Sequence, residues 1–417
     1  MTAEIVVMNT RGIALATDSA VTIGGRKVYN SANKLFELTK EQPVGVMIYE
    51  TDTFLNVPWE TLIKVFRNNF GEHTFPKLQD YVDAFLYFLH ENEYADFTDV
   101  SNEVDFIKDS LFYNLTKLHS QLSDIYASFF GEYGELHLQE DIEQLYVQKG
   151  RTFLNKRIEE LSNKPYSPSF SDDDFHLIKS QFHKIIENYL REQLESHLFV
   201  EEWLEDMILI VVQSSLKELT DRYTGVVFAG FGNDEIYPSV VTLMIDGKVN
   251  GKIKYFISSR KTKSINHSLR STIIPFAQRD VVESFITGIH VRMENKIYEV
   301  LENEFELLSH KLIDKLKSRM KAEVDLYEFH DEITSELVDM YVRFRQQHDT
   351  FKRENFIDPI VSIVEALPVN ELAEMAEALL NITSLKRKMS ISLETVGGPI
   401  DVAVITKGDG FIWVKRK

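Results

Sequence analysis

The chain has 417 residues, 44% of them hydrophobic and 27% charged, with a formal net charge of -19 and no cysteine. This content suits one large or about two to three ordinary globular domains. It excludes a thiol nucleophile, a disulfide framework and cysteine-ligated metal sites, and it sets the chain against nucleic acid, because the negative field repels phosphate backbones and the short basic clusters Arg260 to Lys263 and Lys386 to Lys388 lack interleaved aromatics. The longest apolar run, Met207 to Val212, falls far short of the roughly 18 residues of a membrane span, and no basic region followed by a hydrophobic block opens the sequence. A cytoplasmic protein with no membrane partner is expected.

The first fifty residues have β character. Ile5 to Val7, Ile13 to Ala16 and Val44 to Ile48 are short apolar segments separated by turns such as Asn9-Thr10-Arg11-Gly12, which predicts one small antiparallel sheet. From Asp52 to about His90 the period becomes helical, with Leu55, Trp59, Leu62, Ile63 and Phe66 on one face and Leu78, Val82, Phe85 and Leu89 on another. Between Glu91 and Thr220 nearly everything fits amphipathic helices, broken at Asn163 to Pro168 and at the acidic run Asp172 to Asp174. Strand character returns at Gly225 to Phe231, Ser239 to Ile245 and Lys252 to Ile257, with Asp246-Gly247 as the hairpin signal between the last two. Helices resume at about Phe276 and run to about Phe356; a further helix, Asn370 to Leu380, starts after Pro368. Ser390 to Leu393, Ile400 to Thr406 and Gly410 to Val414 are predicted strands. The order divides the chain into a core in three parts, residues 1–90, 222–290 and 358–417, and two all-helical insertions, residues 91–221 and 291–357. It suggests helices outside two stacked sheets.

The chemistry concentrates at the start of the chain. Thr2 follows Met1, and a residue as small as threonine normally permits removal of the methionine, which would expose a free Thr2 α-amine. One residue would then hold a hydroxyl nucleophile and a base whose reference pKa, roughly 7.7 to 8.0, is already suited to the task. A lysine beside the amine lowers that pKa by opposing a second positive charge, and a carboxylate keeps the lysine charged and in place. The turn at Asn9 to Gly12 folds the next strand back so that Asp18 comes roughly opposite Thr2, and Lys34 opens the next extended segment, Lys34 to Leu38.

Taken with their flanks, these residues resemble the proteasome β-subunit family and its bacterial ATPase-partnered relatives. Thr2-Ala3-Glu4-Ile5-Val6-Val7, then Arg11 to Ser19, then Ser31-Ala32-Asn33-Lys34-Leu35, look like that family's nucleophile strand, Gly-hydrophobic-Asp-Ser strand and lysine strand. Val396-Gly397-Gly398-Pro399 with the strands after it resembles its closing Gly-Gly turn and terminal hairpin, and the helix with Ala373, Ala376 and Ala378 its small-residue helix. The resemblance, which covers about half of the chain, implies an α+β fold, a four-layer αββα N-terminal-nucleophile hydrolase sandwich of two antiparallel sheets, here with large all-helical insertions. It implies Thr2 as nucleophile, Asp18 as the acid that orients the lysine and Lys34 as the cation that tunes the amine. It further implies a peptide or protein substrate, assembly as a homo-oligomer and an AAA-type unfolding ATPase as partner. Tyr49 stands where the family places the glycine whose backbone N–H serves as oxyanion donor. Gln278 stands in place of the supporting serine, and Leu393 and Val396 in place of the accessory Asp and Ser; Asp280 and Glu394 are the candidate accessory charges.

Competing chemistries find no support in the spacing. The twelve histidines form no metal motif, Gly24-Gly25 and Gly230 to Gly232 make no phosphate loop, and no serine lies in Gly-x-Ser-x-Gly. No metal and no cofactor is expected. The expected activity is a threonine-type peptidase or amidase. The alternatives are an inactive scaffold or sensor acting through its helical insertions, and an amidase of the same chemistry acting on a small molecule.

Overall fold

The computed structural model describes residues 3–23, 27–29, 32–39, 42–91, 100–133, 139–195, 197–319, 327–389 and 397–417. In chain order they form β1 (Ala3–Asn9), β2 (Gly12–Thr17), β3 (Val21–Ile23), β4 (Lys27–Tyr29), β5 (Leu35–Glu37), β6 (Val44–Glu50), β7 (Thr53–Phe54), β8 (Val57–Pro58), α1 (Trp59–Phe70) and α2 (Leu78–His90). Four helices come next, α3 (Val100–Tyr133), α4 (Gln139–Asn163), α5 (Asp172–Gln193) and α6 (Leu204–Lys217). After them lie β9 (Thr224–Gly230), β10 (Ser239–Val249), β11 (Lys252–Ile257), β12 (Lys263–Ser264) and β13 (Ser271–Ala277). The chain continues through α7 (Asp280–Thr287), α8 (Val291–Arg319), α9 (Tyr327–Lys352), α10 (Asp358–Ala366) and α11 (Val369–Lys388) to β14 (Asp401–Thr406) and β15 (Gly410–Lys415). Mixed helices and antiparallel sheets make the class α+β. The predicted strand Ser390 to Leu393 lies outside the described residues.

The chain divides into two compact units. The first holds Met1–Leu35, Ile236–Pro238 and Ser264–Lys417. Its sheet has the order β13-β1-β2-β14-β15 and antiparallel pairing throughout. Ala3, Ile5 and Val7 with Ala14, Ala16, Val402 and Val404 turn one face of this sheet towards Leu372, Ala373, Ala376, Leu379 and Leu380 of α11. Close approach there needs small residues; Ala373 and Ala376 are buried as expected, whereas Ala378 is exposed. The opposite face, with Val6, Met8, Ile13, Leu15 and Ile405, is buried as well. A strand buried on both faces reads as a continuous apolar run rather than an alternating one, which is the pattern of β1 and β2.

The second unit holds Phe36–Glu235 and Ser239–Lys263. Here β11-β10-β9-β6-β5 form the second sheet. Val46, Ile48, Val226, Phe228 and Leu243 on one face pack with Trp59, Leu62 and Phe66 of α1 and Val82, Phe85 and Phe88 of α2. A separate core joins α3 to α6: Ile107, Leu111, Leu115, Leu118 and Leu122 run down one face of α3, and α6 is buried over most of its circumference. The run Met207 to Val212 is therefore the middle of a central helix. No helix among the described residues is long and apolar enough to cross a membrane.

Three expectations are corrected. The strands of the first fifty residues do not form one sheet, because β1 and β2 share a sheet with β13, β14 and β15 whereas β6 pairs with β9. Residues 271–277 are strand β13, where a helix is expected from about Phe276. Pro275 disguises it, and is tolerated because β13 lies at the sheet edge. The hairpin after β10 turns at Asn250-Gly251, where both residues have positive φ (50° and 75°), and not at Asp246-Gly247.

Asp246 is instead the displaced residue of a bulge in β10. Its carboxylate lies 2.7 Å from the Lys254 ammonium, with both side chains fully buried, and accepts hydrogen bonds from the Thr220 N–H and hydroxyl. Burial pushes the Lys254 ammonium down from its ordinary pKa, against the pull of Asp246. Removing one partner from such a pair strands the other charge in low dielectric. Asp246→Asn should therefore lower stability in urea unfolding by about 3–5 kcal/mol. An Asp246→Leu, Lys254→Met double variant should recover most of that loss.

Candidate functional site

The β1–β2 hairpin sets the register from which the site is built. Asn9 caps the turn by accepting from the Arg11 N–H at 2.8 Å, while its amide donates to the carbonyls of Val364 and Leu367 at 2.8 and 2.9 Å. Glu4 then faces Thr17, and Ala3 faces Asp18, whose N–H donates to the Ala3 carbonyl at 3.1 Å. Asp18 thus comes opposite Ala3.

Asp18 is 2% exposed and both of its oxygens are engaged. Oδ1 accepts from the Lys34 ammonium at 2.6 Å and from the Ala3 N–H at 3.2 Å, and Oδ2 from the Gly397 N–H at 3.1 Å. The carboxylate is fixed from three directions, by the strand before it, the segment after it and the Gly397-Gly398 turn near the other end of the sequence. The next residue, Ser19, donates to the Pro399 carbonyl at 2.7 Å and accepts from the Lys417 ammonium at 3.0 Å, so the same turn is tied down twice.

Lys34 is 3% exposed. Besides Asp18 it meets a second carboxylate, Glu4, at 3.6 Å, whose side chain is fully buried. Glu4 is not among the residues that the sequence singles out. A single acid inside an apolar strand carries no signal by itself, and the cation that makes its burial tolerable stands thirty residues further on.

Asp18 and Lys34 are therefore brought together, next to the backbone of residue 3. Thr2 and Glu394 lie outside the described residues. Tyr49 lies in the second unit, in β6 opposite Gly225; its ring is buried under the Lys261 ammonium, 4.6 Å from the ring centre. Gly225 is demanded by that ring, since a Cβ there would stand 1.9 Å from it. Asp280 opens α7 and is held by Arg387 at 2.6 Å, with His290 at 3.6 Å. A cavity of about 500 Å³ in the second unit, bordered by Phe54, Phe106, Tyr113, Asp221 and Arg222, takes in none of the sequence-predicted site residues. Glu294, His348 and Asp349 could jointly hold a cation by distance, but the Lys352 ammonium already lies 2.5 Å from Glu294 and 3.1 Å from Asp349.

No protein-family model matches the chain, and no curated protein matches it. Among solved structures the chain is similar to the Gly-1 mutant of Anbu from Hyphomicrobium sp. strain MC1, with 8% identity, a TM-score of 0.30 and coverage of 100% of this chain and 86% of that one. It is also similar to Anbu (ancestral beta-subunit) from Yersinia bercovieri, with 7% identity, a TM-score of 0.29 and coverage of 100% and 88%.

Two acids around one buried lysine make that lysine a structural keystone as well as a chemical group. Replacing Lys34 by Met should lower the free energy of unfolding by about 3–5 kcal/mol, because both carboxylates would lose their cation. Urea titration of the purified variant measures this, and a loss below about 1 kcal/mol would contradict the buried cluster.

Proposed function

We propose that the chain is an N-terminal-nucleophile hydrolase of the threonine type, cleaving amide bonds in peptides after Met1 is removed. The observation that carries this reading is the sharing of Asp18 Oδ1 between the Lys34 ammonium and the N–H of Ala3, the residue bonded to Thr2. A fixed, buried cation is thereby tethered one peptide unit from the proposed nucleophile.

In the proposed cycle the Thr2 α-amine accepts the Oγ proton as Oγ attacks the substrate carbonyl carbon. The tetrahedral intermediate collapses when the resulting ammonium gives that proton to the leaving nitrogen, so the C–N bond breaks and an acyl ester on Thr2 remains. Water attacks the ester with the amine again as base, and Oγ leaves with the proton. Lys34 keeps the amine neutral at the start by opposing its protonation. The backbone N–H of Tyr49 is the proposed oxyanion donor, with Asp280 and Glu394 as accessory charges. A four-layer αββα frame, division of the chain into a core and two helical insertions, assembly of identical copies and an AAA-type ATPase that delivers unfolded substrate belong to the same proposal.

A peptide epoxyketone tests it, because its ring-closed adduct needs both a hydroxyl and a free α-amine on one residue. Intact mass should show loss of Met1 and one adduct, abolished in Thr2→Ala. Retention of Met1 in protein from its native cell, or an adduct that persists in Thr2→Ala, would reject the reading. Lys34→Ala should slow adduct formation at neutral pH by about 100-fold or more and move its pH midpoint upward.

A further inference from the structure

The cavity of about 500 Å³ lies within the second unit, and none of the residues around it takes part in the proposed hydrolase chemistry. One wall is α3. Asp105, Phe106, Asp109, Ser110 and Tyr113 border the cavity at a spacing that sets them along one helical face. Phe54, from the β7–β8 hairpin, and Asp221 and Arg222, just before β9, border it as well. The apolar walls are fixed: Phe54 is 3% exposed, and the Phe106 ring is seated against Gly247, where a Cβ would stand 2.5 Å from it. The volume falls within the roughly 300–1,000 Å³ of small-molecule sites.

Two features define the guest. Of the charged side chains on the border, Asp246 is matched by Lys254 at 2.7 Å and Asp109 by Arg222 at 3.1 Å. Asp105 and Asp221 have neither an ion pair nor a hydrogen bond among the described residues, so two negative charges stand unmatched at the rim. Their field reaches inward. Burial pushes the Tyr113 hydroxyl up from its ordinary pKa, and the charges of Asp221, Asp246 and Glu218 push it the same way. The second feature is Ser110, which is 1% exposed and whose hydroxyl has no hydrogen-bond partner among the described residues. A buried hydroxyl is normally paired, and leaving it unpaired is costly. An anion would meet the carboxylates, a hydrocarbon would leave Ser110 unpaired, and a monocation would leave one acid unmatched. We propose that the cavity binds a small aliphatic dication, a diamine with its methylene stem along Phe54 and Phe106. Asp105 and Asp221 meet its two ammonium groups, and Ser110 Oγ accepts one of its N–H groups.

Isothermal titration calorimetry of the full-length protein with 1,5-diaminopentane tests this, and one saturable site per chain is expected. The uncharged 1,5-pentanediol, of the same length, should show no saturable binding. The monocation 1-aminopentane should bind about tenfold more weakly than the diamine. Asp105→Asn and Asp221→Asn, both at exposed positions, should each weaken the diamine by about tenfold, and Ser110→Ala by about fivefold. Ser110→Ala should also unfold at a urea concentration no lower than wild type, because its hydroxyl has no partner to lose; a merely structural serine would lower that midpoint and leave binding unchanged. Circular dichroism checks the fold of each variant, and those that fold decide the matter. No saturable binding in wild type, equal affinity for the diol or the monoamine, or an affinity unchanged in any folded variant overturns the proposal. Each of these outcomes leaves the hydrolase reading to its own test at Thr2.

Discussion

The buried ion cluster of Glu4, Asp18 and Lys34 is the constraint around which the first unit is arranged. A lysine with 3% exposure is tolerable only if its charge is met at short range, and Asp18 can meet it only in one orientation, because both of its oxygens are already committed to backbone N–H groups of Ala3 and Gly397 as well as to the ammonium. The β1–β2 register, the chain entering β5 and the turn before β14 must therefore be right together. A slip of one residue between β1 and β2 would exchange the faces of every side chain in the pair, exposing Ala14 and Ala16 to the wrong layer and pulling Asp18 away from residue 3.

That interlocking explains which parts are legible in the sequence. The β1–β2 hairpin, the helices at residues 59–70 and 78–90 and the terminal strands β14 and β15 come from local period and turn residues. Asp18 and Lys34 are legible because short segments with strong strand character carry each of them. Glu4 is not, because its justification is a contact made across sequence. Strand β13 is hidden by Pro275, which local rules penalise and edge position forgives. At β10 two turn signals of comparable strength, Asp246-Gly247 and Asn250-Gly251, compete within six residues. The outcome is decided by Lys254, which Asp246 must reach from inside the strand. In each case a long-range electrostatic or topological demand overrides a reasonable local preference.

The same contrast applies to sheet partnership. The run of apolar segments in residues 5–7, 13–16 and 44–48 says that strands are present but not which of them are neighbours. Their partners are β13 and β14, more than 250 residues away, for the first two, and β9 for the third. Contacts of such sequence separation carry a loop-closure cost that local contacts do not, and the charged cluster, which joins residues 4, 18, 34 and 397, is complete only when the two ends of the chain have met. The site is accordingly a product of the finished fold.

The end of the first sheet also carries backbone in an uncommon state. Ala277, directly opposite Ala3, has φ of 46°, and its carbonyl accepts from the Arg279 N–H at 3.0 Å, turning the chain sharply into α7. A non-glycine residue in this region is held there at a cost of about 1 kcal/mol or more and persists where the surroundings over-determine it. Here it closes the edge of the sheet beside the residue that shares Asp18 with Lys34. Fixed backbone on one side, a buried acid on the other and the Gly397 turn behind Asp18 leave residue 3 with little freedom. For the chemistry proposed at the neighbouring residue this rigidity would have a direct value. A nucleophile and base carried together on the first residue of a chain can be aimed covalently only through the second, and Ala3, which would take that place once Met1 is removed, is bound to Asp18 through both its N–H and its carbonyl.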